Sequence, residues 1–175
     1  MNIVELVNNK SLKAMEKRIQ IIEILLEDNL SLQELITICD SLKDKQIAII
    51  LEAIEEITNK KMKQLDPAYI DFVEKYILSD NNSCKREASR IVGNLAEQYP
   101  NKLDSVIQCL IKNTTDDSTV VRWGSAYALS RIIVLTEYAN TDLYDQISDI
   151  CEKEQNNGVK NQYVKALKKA VKIRK

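Results

Sequence analysis

Histidine is missing from all 175 residues. Its absence removes Ser-His-Asp and Cys-His catalysis, histidine metal sites and the commonest general base. Glycine and proline are scarce, at three and two residues. Sheet folds need more turn punctuation than that, so a mostly helical chain is predicted. Gly93, Gly124 and Gly158 are isolated from one another, which excludes a glycine-rich phosphate loop. Long apolar runs are also absent. Stretches such as Ile47 to Leu51 fall far short of a membrane span. The opening Met1-Asn2-Ile3-Val4-Glu5 lacks a basic region followed by an apolar stretch, so no secretory signal is expected. No C-x-x-C motif occurs. Cys39, Cys84, Cys109 and Cys151 are scattered on or beside expected buried stripes, where a free thiol behaves as a small hydrophobe. These features predict a cytoplasmic chain with reduced thiols, no metal, no cofactor and no catalytic residues. Carboxylates are plentiful, but Glu55-Glu56 and Asp116-Asp117 read as a solvated helix face and a turn, not an acid–base dyad. A non-enzyme is predicted.

What is present is an ordinary globular composition, 45% hydrophobic and 29% charged, long enough for one well-buried core. The net charge of -1 hides an uneven distribution. Residues 1–81 carry 15 acidic and 10 basic side chains, and residues 82–154 carry 11 and 8. From Gln155 onward there are seven Lys/Arg and no acid. Two readings of that tail stand: a cationic surface for an anionic partner, or lysines that complement the carboxyl end of a final helix.

Apolar spacing is helical nearly throughout. Leu32, Leu35, Ile36 and Cys39 follow an i, i+3, i+4, i+7 pattern, as do Ile47, Ile50, Leu51 and Ile54, and Leu103, Val106, Ile107 and Leu110. Ser31-Leu32-Gln33-Glu34 is a capping box. Asp66 precedes a proline suited to a first helical position, and Asn101 is placed to cap the helix after it. Breaks at about residues 8–10, 29–31, 42–45, 61–66, 79–83, 99–101, 114–119, 139–141 and 155–158 divide the chain into ten helices in five pairs. The turns at 79–82, 115–118 and 154–157 occupy equivalent places and are rich in Asp, Asn and Ser, whose side chains bond nearby backbone.

A register repeats with this pairing. It reads Val121-Arg122-x-x-Ser125-Ala126-x-x-Leu129-x-x-Ile132 at its clearest. Cys84-Lys85-x-x-Ala88-Ser89-x-x-Val92-x-x-Leu95 lies upstream and Val159-Lys160-x-x-Tyr163-Val164-x-x-Leu167 downstream. Lys85, Arg122 and Lys160 are 37 and 38 residues apart, a period that means stacked repeats. An apolar first helix, a D/N-rich turn and V-R-x-x-A-A-x-x-L on the second helix resemble the HEAT repeat family. Residues 101–136 carry the likeness best. Residues 67–98 and 141–172 have lysine at the arginine position, residues 31–59 share only the apolar spacing, and residues 1–27 are degenerate. The resemblance implies an all-α fold, a right-handed α-solenoid of about five antiparallel helix pairs. Residues 1–175 are expected to form one domain with repeats at about 1–28, 31–61, 66–99, 101–138 and 141–175.

In that family the second helices line the concave side. Lys85, Arg122 and Lys160 are then expected to hold repeats together by pairing with turn acids, notably Asp116 and Asp117. Aligned columns across the second helices gather Arg86, Arg90, Trp123 and Tyr127, with Lys165 and Lys168 alongside, on an outward-facing surface. Arginine and aromatics are enriched at interface hot spots. The function expected is a non-catalytic scaffold that binds another protein, through an extended or acidic segment, and no membrane. Trp123 and Tyr127 equally suit gaps between helices. Two other readings stay open. One is a nucleic-acid binder using Arg86, Arg90, Lys165, Lys168 and the tail, with the stacked-helix DNA glycosylases as an enzymatic relative. The other is a structural subunit of a larger assembly.

Overall fold

The computed structural model describes residues 1–27 and 29–175, leaving Asp28, the last residue of the first expected repeat, outside the described residues. It is all-helical. The helices are α1 (Ile3–Asn8), α2 (Ala14–Leu26), α3 (Leu32–Asp40), α4 (Asp44–Asn59), α5 (Ala68–Ile77), α6 (Asn82–Leu95), α7 (Asp104–Asn113), α8 (Thr119–Ile132), α9 (Thr136–Ala139), α10 (Leu143–Lys153) and α11 (Asn157–Ile173), with a 3-10 turn at Pro100–Lys102. No described helix is long and apolar enough to cross a membrane.

Local chemistry sets the starts. Ser31 Oγ accepts from the Glu34 amide while Glu34 accepts from the Ser31 amide at 2.8 Å, which closes the expected capping box. Asn81, Asp116 and Asn156 each turn a side-chain oxygen onto an amide two or three residues ahead, at 3.0, 2.8 and 3.1 Å. These three residues shape the three equivalent polar turns, as their short side chains permit. Asn101 caps nothing. It lies inside the 3-10 turn, and α7 begins only after Leu103.

The fourth unit differs from expectation in its second helix. It stops at Ile132, and a separate four-residue helix follows. Leu135 is extended there, so the chain bends and buries Tyr138, whose hydroxyl donates to the Pro100 carbonyl at 2.7 Å. That bond recurs one unit earlier, where Tyr99 donates to the Leu65 carbonyl at 2.6 Å, and one later, where Arg174 donates to the Ala139 carbonyl at 3.0 Å. Each of the last three units is thus tied to the end of the one before it.

Each second helix packs on the next: α2 on α4, α4 on α6, α6 on α8 and α8 on α11. Contacts between first helices are sparser, with α5 against α7 the main one. A row of pairs drawn together on one side bends toward that side, so the second helices form the inner layer of an α-solenoid. One apolar core runs through the whole row, from Ile3 through Ile50, Ile91 and Leu129 to Ala170. Each fully buried Leu or Ile in it contributes about 2 kcal/mol of transfer free energy.

Candidate functional site

The basic anchors Lys85 and Arg122 link successive units. Lys85 Nζ lies 2.7 Å from Asp116 Oδ2 in the next unit. Arg122 makes the equivalent step forward to Glu154 with Nε at 3.0 Å, and its Nη1 donates to the Asp116 and Asp117 carbonyls of its own turn at 2.9 and 3.2 Å. Asp117 therefore serves through its backbone. Lys160 donates to the Glu152 carbonyl at 3.3 Å, inside its own unit. Burial raises the Asp116 and Glu154 carboxyls, but the hydrogen bonds from Lys85 and Arg122 and from nearby amides outweigh it and hold both below their ordinary values.

A depressed carboxyl pKa gives stability that is fully present above the unfolded value and is lost as pH falls through the folded one. Arg122→Met should cost about 2 kcal/mol near neutral pH, because Glu154 is buried and loses its cation. Urea midpoints measured from neutral to acid pH should show the variant losing less stability than the parent below the ordinary carboxylate range. Parallel curves would contradict this.

Along the inner layer, the N-terminal half carries a closed ionic ladder. Arg18 on α2 lies 3.1 Å from Glu56, an ion-pair contact outside hydrogen-bond angles, and 4.0 Å from Glu52. Arg86 on α6 approaches Glu52 at 3.9 Å and pairs with Glu87. Arg90 reaches Glu55 on α4 at 2.8 Å and Glu87 at 3.0 Å. Glu87 is 1% exposed and Glu55 6%. The open groove here, about 400 Å³, thus sets Arg18, Lys60, Arg86 and Arg90 against Glu52, Glu55, Glu56 and Glu87, four charges of each sign. Burial first, and the charge of Glu87 after it, pushes Glu52 above its ordinary value; burial does the same to Glu55.

Arg90 continues into an aromatic cluster. Its guanidinium lies 5.9 Å from the Trp123 ring centroid and 5.8 Å from that of Tyr127. The two rings stack at 5.6 Å, and Arg131 covers Tyr127 at 4.2 Å. The Tyr127 hydroxyl donates to Asn94 on α6, whose amide donates on to Thr58 and Glu55 of α4. Arg90, Trp123 and Tyr127 are therefore brought together, half-buried and in mutual contact, and Arg86 joins them only through Glu87, which it shares with Arg90.

Three residues at equivalent positions on the second helices, Ala48, Glu55 and Gly93, are buried and do not face outward. Glu55 is not a solvated face residue. Adjacent second helices pack so closely that part of each outward column becomes contact surface. The sequence did hold one sign of this, a glycine at position 93, where an added Cβ would meet Ala128 and Tyr127 of α8.

Beyond the aromatics, α6, α8 and α11 enclose a second groove of about 720 Å³. Gly93 and Asn94 line it from α6 and Glu97 from the turn just after that helix, Tyr127, Ser130 and Arg131 from α8, and Asn161, Gln162, Lys165 and Lys169 from α11, together with Lys61. Lys165 stands in this groove. Lys168 is exposed but outside the lining, because the spacing 162, 165, 166, 169 turns Lys169 inward instead. Lys61, Arg131 and Lys169 were not singled out from the sequence. Lys61 lay in an expected break, and only the stacking brings it to α11's groove.

Residues 82–132 match the HEAT-like repeat family. Among solved structures, a designed armadillo repeat protein in complex with the peptide (KR)4 superposes with a TM-score of 0.60 at 15% identity, over 96% of this chain and 97% of that one. An engineered protein covers 99% and 98% at 16% identity with a TM-score of 0.47. No curated protein matches the sequence. The likeness of fold is to helical-repeat solenoids.

Proposed function

We propose that this α-solenoid, with its HEAT-like repeat at residues 82–132, is a non-catalytic scaffold that captures an extended segment of another protein along its inner layer. The observation that carries this reading is the open groove of about 720 Å³ bounded by three successive second helices. Its walls are rigid helix faces and its floor is held by the Asn94–Tyr127 bond. Such preorganisation lowers the ordering cost of binding. The whole of residues 1–175 is taken as one binding domain, since one core runs through it. The armadillo relative, whose structure contains a peptide, adds support for an extended occupant.

In this reading Trp123 and Tyr127 mark the centre of the surface. Arg86 and Arg90 position it, and Lys165, with Lys168 outside the groove, supplies accessible charge. A protein occupant is favoured over nucleic acid because base stacking needs an open aromatic face, and those of Trp123 and Tyr127 are occupied by each other, Arg90 and Arg131. A random-peptide display selection on the intact chain, followed by photo-crosslinking of enriched peptides, tests the proposal. Enriched sequences should crosslink to α6, α8 and α11. No enrichment, or crosslinks confined to the first helices, would overturn it.

A further inference from the structure

The geometry points to a more specific occupant: we infer that the groove between α6, α8 and α11 takes the carboxylate side chains of an acidic, extended peptide, with Lys61, Arg131, Lys165 and Lys169 as its cationic contacts. This rests on the scaffold reading and narrows it. Its first support is a contrast between the two grooves of the inner layer. The N-terminal one is neutralised charge for charge. The C-terminal one sets four cations against Glu97, and among the described residues none of the four has a carboxylate within ion-pair distance. A recess lined by one sign of charge concentrates ligands of the other and speeds their arrival.

The second support is unspent hydrogen-bonding capacity in the same walls. Gln162 Nε2 and Ser130 Oγ are buried atoms with no hydrogen-bond partner, and both residues line the groove. Such groups are usually satisfied in native proteins. A turn of either side chain would present its donor to a peptide carbonyl or carboxylate in the groove.

Lys61 supplies the third. It is the one described residue other than glycine with positive φ, at 51°. It follows α4 in a Schellman arrangement, with the Met62 amide donating to Ile57 O at 3.0 Å and its own amide to Thr58 O at 3.3 Å. Glycine is the usual occupant of that position. A lysine there is held in a left-handed conformation that disfavours it, and its side chain is delivered to the groove rim. Backbone outliers of this kind cluster at binding sites. Arg131 is fixed as well, lying over a Tyr127 ring that Asn94 anchors.

The test uses the full chain and fluorescein-labelled peptides of alternating glutamate and serine, alternating lysine and serine, and glycine and serine, with an oligo-uridine RNA. Anisotropy is read at low and high salt. The glutamate peptide should bind at least about tenfold more tightly than the other three, with affinity falling as salt rises. The double variant Lys165→Glu, Lys169→Glu changes two exposed residues, so its melting should be unchanged while that affinity drops by about tenfold or more. Lys61→Gly should weaken the same peptide while raising the melting temperature, an opposition that a merely structural role for Lys61 does not produce. Equal binding of all peptides, tighter binding of RNA, or variants with undiminished affinity would each overturn the inference. If display selection enriches non-acidic peptides that crosslink to the inner layer, the acidic occupant fails and the scaffold reading stands. If neither experiment finds a peptide, both fail.

Discussion

Gly124→Leu is expected to destabilise the chain by about 3 kcal/mol, at the upper end of the range for overpacking a close-packed interface. A Cβ on Gly124 would meet Arg86 Cα at 3.1 Å and Arg86 O at 3.2 Å. Those are backbone atoms of the neighbouring second helix, so relief requires α6 and α8 to part. Gly93 makes the reciprocal contact, with a Cβ there 3.0 Å from Ala128 Cα and from the Tyr127 ring. Both glycines are helical and carry a propensity cost of about 1 kcal/mol each relative to alanine. Close approach of the two helices is what offsets it. Separating α6 from α8 would also break the Tyr127–Asn94 bond and the Arg90 stack, so groove binding should fall along with stability. Chemical denaturation of Gly124→Leu beside Gly158→Leu distinguishes the cause. Gly158 is exposed, and its added Cβ meets only an Asn156 side-chain oxygen, at 3.2 Å, so that control should lose far less. Equal losses would show that steric contact between second helices is not what the glycines serve.

Glu87→Ala carries the second large effect, about 2 to 3 kcal/mol of lost stability. Glu87 is the hub of the inner ladder, with Arg86 and Arg90 both bound to a carboxylate that is 1% exposed. Removing it leaves two half-buried guanidinium groups competing for Glu52 and Glu55. Their partial exposure keeps the cost below that of a fully buried charge. Glu87→Gln provides the finer measurement. It preserves shape and an accepting oxygen while deleting the charge, and that charge stands second to burial in holding Glu52 above its ordinary pKa. The Glu52 carboxyl, followed by NMR through an acid titration, should move down toward the ordinary value in Glu87→Gln. A carboxylate raised in the folded state adds stability as pH falls through the folded value toward the unfolded one. Glu52 and Glu55 thus partly offset the acid losses at Asp116 and Glu154, and Glu87→Gln should weaken that offset. An unmoved Glu52 would remove Glu87 from the account.

The repeat pairing and most of its turns were legible because they depend on local rules. Asn81, Asp116 and Asn156 shape their turns through amides two or three residues away, and the apolar stripes follow a period set by the helix itself. Lys85 with Asp116 was legible as well, since a basic residue at a fixed register and an acidic turn recur together. The partner of Arg122 was not. Its charge goes to Glu154 one unit ahead, and only its carbonyl bonds go to the turn named from the sequence.

The groove was legible in part. Lys165 stood in the aligned columns, yet Lys61, Arg131, Lys169 and Gln162 come from four places whose convergence depends on how α6, α8 and α11 are rotated against each other. The charge of the Arg86–Arg90 surface was also a tertiary matter. Two basic residues a turn apart look like an accessible patch until Glu55 and Glu87 are seen buried beneath them. Sequence alone determined most of the helices, their pairing and the stack, because hydrogen bonding and apolar periodicity act within a few residues. Packing between units decided which charges cancel and which face an open groove, because pairing energy depends on distance and burial across units some 35 to 40 residues apart, where no local pattern reaches.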